Sequence, residues 1–183
     1  MTLMVLVGCG EKAEPLPNPD PAPAEEKLIA DPIVEKAVRK ELKKPTGELT
    51  KADFEKVDVL ELYHNQLTEL PKGLEKLTQI RKLYLDYNQL TSVKGLEKLT
   101  QLTQLEFLEL SDNDLTSVKG LENLMEVTSL GLYENKLTSV KGLENLSQLE
   151  YLSLHDNPDL TKGQIAEIRK ALPKCEIPSS PIE

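Results

Sequence analysis

The chain has 183 residues, 22 of them basic and 31 acidic, with a formal net charge of −9 and a pI near 4.9. That balance argues against nucleic acid as a partner, because its binders carry basic patches that displace phosphate counterions, and the length fits one domain or one domain with a tail. Leucine supplies 34 residues, aromatics only 4 %, and Trp none; one aliphatic side chain reused throughout points to construction by repetition rather than to the varied lining of an enzyme pocket.

The first segment, residues 1–8, is short and apolar up to Gly8 and ends at Cys9. Leu6-Val7-Gly8-Cys9 resembles the lipobox of bacterial lipoprotein signal peptides. That resemblance implies removal of residues 1–8, lipidation of Cys9, and a protein anchored in the cell envelope facing outside the cytoplasm. A signal peptide also carries a basic start and about 7–15 apolar residues. No Lys or Arg precedes Cys9, and the apolar run is short. The expectation therefore includes a start upstream of Met1, and the alternative is a greasy N-terminus on a cytoplasmic protein. The second cysteine, Cys175, lies in an apolar context and is expected to pack as a small hydrophobe.

Residues 9–27 form a tether. Five prolines at positions 15, 17, 19, 21 and 23 stand amid Ala, Glu, Asn and Asp. Such a stretch buries little apolar surface and favours polyproline II, a stiff spacer of roughly 3.1 Å per residue.

Residues 28–56 read as a helical N-terminal cap. Asp31-Pro32 gives an N-cap and first helical position. Ile33, Val34, Ala37, Val38 and Leu42 recur at helical spacing, Lys43 and Lys44 suit the C-terminus, and Pro45 and Gly47 end the helix. Thr50 and Asp53 have capping-box spacing before a second, short helix in which Phe54 faces inward.

Residues 57–160 repeat five times on Leu-x-Leu-x-x-Asn: Leu60 to Asn65, Leu83 to Asn88, Leu108 to Asn113, Leu130 to Asn135, and Leu152 to Asn157. Successive asparagines are 23, 25, 22 and 22 residues apart; the longest step holds the doubled triplet Leu99-Thr100-Gln101-Leu102-Thr103-Gln104. Leu-x-Leu has the period of a strand with alternate side chains inward. Each Asn ends its strand and turns inward to serve backbone groups that the bend leaves unpaired. The ladder of Asn65, Asn88, Asn113, Asn135 and Asn157 is thus structural. Lys-Gly-Leu-Glu recurs on the return path at residues 72–75, 94–97, 119–122 and 141–144. Gly permits tight entry to a short back helix, Leu points inward, and the Lys and Glu ladders form a solvated outer face.

This pattern resembles the leucine-rich repeat. Leu-Thr-Ser-Val-Lys-Gly-Leu-Glu and the cap residues Leu49-Thr50-Lys51-Ala52-Asp53-Phe54 resemble internalin-type bacterial proteins. The resemblance implies an α/β leucine-rich-repeat solenoid, a short horseshoe with a parallel concave sheet, and it specifies fold better than function. Residues 161–183 form the C-terminal cap and tail. Thr161 and Gln164 have capping-box spacing, with Ile165, Ile168 and Leu172 on one face.

Outward strand positions line the concave face. They are Val59, Glu61 and Tyr63; Lys82, Tyr84 and Asp86; Phe107, Glu109 and Ser111; Ser129, Gly131 and Tyr133; and Tyr151, Ser153 and His155. Four of the five tyrosines and Phe107 fall on these positions, with Tyr87 adjacent. Exposed tyrosine buries area at low entropy cost and keeps a hydroxyl for bonding. The expected partner-binding set is therefore Tyr63, Tyr84, Tyr87, Phe107, Tyr133 and Tyr151 with Glu61, Asp86, Glu109 and His155. Packing across strands is the competing reading of the same aromatics. The acids, opposed on this face only by Lys82, suit a protein or peptide with basic patches. No cofactor and no metal are expected, since His64 and His155 lie four repeats apart. No catalytic set is evident either: Ser111, Ser129 and Ser153 are expected to have no base in reach. The reading is a monomeric, non-enzymatic binding module; the alternatives are an envelope protein without a specific partner, or a secreted effector.

Overall fold

The structure, a computed structural model, describes residues 28–96 and 104–178. Cys9, the tether, Leu99 and most of the doubled triplet lie outside the described residues. Helices α1 (Pro32–Glu41) and α2 (Lys51–Phe54) precede strands β1 (Val59–Glu61), β2 (Lys82–Tyr84), β3 (Phe107–Glu109), β4 (Ser129–Gly131) and β5 (Tyr151–Ser153), and α3 (Lys162–Ala171) follows. The strands form one parallel sheet in the order β1-β2-β3-β4-β5. Register is unbroken: Leu60, Leu83, Leu108, Leu130 and Leu152 pair rung by rung, so identical side chains stack in one inward column. Those leucines, and Leu62, Leu85, Leu110, Leu132 and Leu154 beside them, are buried.

The caps follow their chemistry. Asp31 accepts from the Ile33 and Val34 amides at 2.9 and 3.3 Å. The C-terminus of α1 arrives earlier than Lys43 and Lys44 suggest. Lys43 itself adopts the left-handed conformation (φ 52°), and Lys44 N–H reaches Arg39 O at 3.0 Å while Lys43 N–H reaches Lys40 O at 3.2 Å. This is a Schellman closure with lysine where glycine is usual. Both capping boxes, Thr50–Asp53 and Thr161–Gln164, are reciprocal.

The return path differs in detail from the expected back helices. Single 3-10 turns occupy Leu74–Lys76 and Leu143–Asn145. The outer Glu ladder also does more than face solvent. Glu75, Glu122 and Glu144 accept from the N–H of the glycine two residues earlier, at 2.9, 2.6 and 2.6 Å. Ser92, Ser117 and Ser139 hydroxyls accept from Lys94, Lys119 and Lys141 N–H at 3.0 to 3.2 Å. Gly73, Gly95, Gly120 and Gly142 all have φ near or above 100°, a region glycine enters freely. The Ser-Val-Lys-Gly-Leu-Glu motif is therefore a self-capped turn.

Both ends of the sheet are covered. Helix α1 packs against β1. After α3 the chain returns to β5: Glu176 bridges Tyr151 in parallel, Leu152 N–H donates to Glu176 O at 2.9 Å, and Glu176 N–H donates to Glu150 O at 2.7 Å. Arg169 fastens this segment through Ile177 O at 2.9 Å. Cys175 is half-buried beside it, and burial pushes its thiol up to about 11. Among the described residues no helix is long and apolar enough to cross a membrane.

Candidate functional site

The asparagines hold the bends that carry the outward residues. Asn113 Oδ1 accepts from Leu90 N–H at 2.9 Å, and its Nδ2 donates to Leu85, Leu110 and Ser111 carbonyls at 3.0 to 3.1 Å. Asn88, Asn135 and Asn157 repeat this pattern, each tying its own bend to the preceding repeat. Asn65 differs. It is half-buried, and its side chain makes one hydrogen bond, Nδ2 to Tyr63 O at 2.9 Å, because no earlier rung lies beneath it.

The residue before each Asn is left-handed without being glycine: His64, Tyr87, Asp112, Glu134 and Asp156 have φ of 49 to 55°. Tyr87 and Glu134 are not types enriched in that region, unlike His64 and the two aspartates, so the sequence hides this column. Its side chains lie along the rim of the sheet.

The outward face is less uniform than its periodicity suggests. Glu61 is paired by Lys40 of α1, whose ammonium also stands 5.9 Å from the Tyr63 ring centre. Lys82 is therefore not the only cation facing the acids. Glu109 folds back onto the Ser111 hydroxyl and amide and lies over Gly131, where a Cβ would sit 1.8 Å from its Oε1. Ser111, Gly131 and Ser153 are buried on the floor of this face. The expectation that no base reaches the serines fails at Ser153, whose hydroxyl is 2.9 Å from His155 Nδ1. Two residues apart on a strand, their side chains share one face. Ser153 is only 3 % exposed, so a substrate has no access to its hydroxyl.

The aromatics pair across repeats. Tyr84 and Phe107 tilt together at 5.0 Å; His64 stacks on Tyr87 at 4.4 Å; and Tyr133 stacks on His155 at 4.8 Å. The hydroxyls of Tyr87 and Tyr133 meet at 3.2 Å. Tyr63, Tyr87 and Tyr151 still expose 40, 45 and 39 % of their surface. His64, absent from the expected binding set, belongs to this surface through its stack.

Carboxylates separate these rings. Burial raises the Asp86 pKa, with Asp112 adding repulsion and its backbone and His64 opposing. A hydrogen bond with Asp112, then its charge, raises that of Glu134. Hydrogen bonds with Asp112 and Tyr87 hold the Tyr133 hydroxyl well above its ordinary value. Among the described residues no three His, Cys, Asp or Glu side chains gather as metal ligands would.

Unbroken parallel rungs, leucine columns and an asparagine ladder define a leucine-rich-repeat solenoid. The family model for leucine-rich repeats (two copies) matches residues 55–98. The fold is similar to an internalin from Listeria monocytogenes, with a TM-score of 0.69 and 23 % identity over 82 % of this chain and 43 % of that one. It is also similar to a leucine-rich-repeat protein of Leptospira interrogans, with a TM-score of 0.62 and 35 % identity over 72 % of this chain and 34 % of that one. The chain thus spans less than half the length of either. No curated protein matches. The chain thus carries leucine-rich repeats, and its fold is a leucine-rich-repeat solenoid similar to those of these two proteins.

Proposed function

We propose that this chain is a non-enzymatic module that binds a protein or peptide through the outward face of its sheet. Internalin-type repeats generally serve as protein-binding scaffolds. The observation that carries the reading is placement. Aromatics are scarce, yet all five tyrosines and one of the two phenylalanines cluster on or beside this face, and three tyrosines remain well exposed. With Glu61 paired by Lys40 and Glu109 folded onto Ser111, the unpaired acidity shifts to the rim at Asp86, Asp112, Glu134 and Asp156, which suits a partner with basic patches. The module acts as a monomer, lipid-anchored outside the cytoplasm through Cys9, and the Pro-rich tether holds it clear of the membrane. Five strands at about 4.8 Å span roughly 20 Å, the length of a peptide or a loop.

The test is capture from cell envelope with wild type and the Tyr63→Ala/Tyr151→Ala double variant. These rings are about 40 % exposed, so their truncation leaves the melting temperature nearly unchanged while the captured partner is lost. Identical captured profiles overturn the reading in favour of an envelope protein without a specific partner, which the Tyr84–Phe107 and Tyr133–His155 packing would then explain. Fatty-acid labelling that persists in Cys9→Ser overturns the anchor.

A further inference from the structure

Tyr87 belongs to the second repeat and Tyr133 to the fourth, yet their hydroxyls meet at 3.2 Å. Their backbone positions lie two strand spacings apart, about 10 Å, so the rings lean toward each other across the third repeat. Room for them comes from Ser111, a short side chain that is 1 % exposed on the floor of the face. Each ring is stacked against an imidazole of the next repeat outward, His64 on Tyr87 at 4.4 Å and His155 on Tyr133 at 4.8 Å. The two phenols are thus held end to end by their surroundings.

The hydroxyls are also linked to proton acceptors. Tyr133 hydrogen-bonds with Asp112 as well as with Tyr87. A carboxylate only accepts, so Tyr133 donates to Asp112 and Tyr87 donates to Tyr133. Glu134, which is exposed, hydrogen-bonds with Asp112 in turn and continues the line to solvent. Tyr87 is 45 % exposed, so a reagent reaches its ring directly. A phenol gives up an electron readily when a positioned group takes its proton at the same time, and this line supplies that group.

We infer that Tyr87 and Tyr133 form a site of oxidative cross-linking, where a one-electron oxidant of the peroxidase class joins their rings by a carbon–carbon bond. The site is independent of the binding reading above. Hydrogen peroxide, through the peroxidase, takes one electron from each phenol. Each hydroxyl releases its proton, Tyr133 to Asp112 and Tyr87 along the same line. The two tyrosyl radicals couple through the ring carbons beside their oxygens. Each of those carbons then gives up its hydrogen as a proton that returns to the oxygen, which restores the aromatic rings. Two phenols and one peroxide thus yield one biaryl and two waters. The new bond joins residues 46 positions apart, which restricts the unfolded chain and ties the second repeat to the fourth.

The test treats the full chain at micromolar concentration with a haem peroxidase and hydrogen peroxide. Dilution favours reaction within one copy. The expected product is a monomer lighter by two hydrogen atoms that fluoresces as dityrosine. Proteolysis followed by mass spectrometry then joins the Tyr87 peptide to the Tyr133 peptide. Tyr87→Phe and Tyr133→Phe each lose this product, whereas Tyr63→Phe and Tyr151→Phe keep it, although those rings are 40 and 39 % exposed. Asp112→Asn keeps the rings, removes the proton acceptor and slows product formation by about tenfold. Linkage mapped to other tyrosines, linkage that persists in Tyr87→Phe, or linkage only between copies overturns the inference. A rate unchanged in Asp112→Asn overturns the route given to the proton.

Discussion

Replacing Asn113 with Leu tests whether the asparagine ladder holds the solenoid together through hydrogen bonds. The side chain is 8 % exposed and makes four bonds. The consequences are unequal. Leu85 O keeps a donor in Asn88 Nδ2, Leu110 O keeps Asn135 Nδ2, and Ser111 O keeps the Tyr87 amide. The Leu90 N–H, by contrast, loses its one acceptor among the described residues. An orphaned buried N–H costs about 1–3 kcal/mol, and three weakened acceptors bring the total to about 2–4 kcal/mol. For a domain of this size each kcal/mol moves the melting temperature by about 2–4 °C, so the expected drop is roughly 5–15 °C. Asn65→Leu is the internal control. With one bond and half burial it is expected to cost no more than about 1 kcal/mol. Urea unfolding followed by circular dichroism measures both. Equal costs for Asn65→Leu and Asn113→Leu would refute the hydrogen-bond account, because the two share a sequence motif and differ in their partners.

Three further outcomes follow from single side chains. Burial raises the folded-state pKa of Asp86 above its ordinary value, so its ionised form is disfavoured in the fold and stability increases as pH falls through that pKa toward about 4; Asp86→Asn is therefore expected to melt higher than wild type at pH 7 and to lose that advantage near pH 4, and a destabilised variant at pH 7 would contradict this. Glu134 is left-handed and stands beside the charges of Asp112 and Asp156, so Glu134→Asn is expected to unfold at a higher urea concentration in the same assay, whereas a lower midpoint would show that Glu134 makes a contact worth more than its strain. The Cys175 thiol, raised to about 11 by burial, is expected to react with iodoacetamide at pH 8 far more slowly in the folded chain than in urea, and equal rates would place it in solvent.

The sequence and the fold agree where one local rule decides. Leu-x-Leu buries both leucines on one side of a strand, and Thr50–Asp53 and Thr161–Gln164 close the boxes that their spacing predicts. The sheet order follows because repeats stack on their neighbours. What periodicity does not carry is the meeting of side chains from different repeats. The Tyr87–Tyr133 contact skips a rung, and the Lys40–Glu61 pair joins the cap to the first strand. Glu109 lies flat because Gly131 leaves room next door. The left-handed column is invisible for another reason: bends pinned by the buried asparagines impose φ on Tyr87 and Glu134 against their local preference. Ser153 is the opposite case: its two-residue spacing from His155 already carries the signal for their contact, against the expectation that no base lies there.

Glu176 pairs with β5 at one end of the sheet, and α1 packs against β1 at the other. Covered ends disfavour the addition of a strand and the edge-to-edge joining of copies. Recognition by this surface then falls mainly to its side chains. The repeats leave those side chains free to change, because outward positions contribute nothing to the leucine columns behind them. Covering the ends thus separates durability from selectivity: the leucine columns stay fixed while the reading surface is replaced residue by residue.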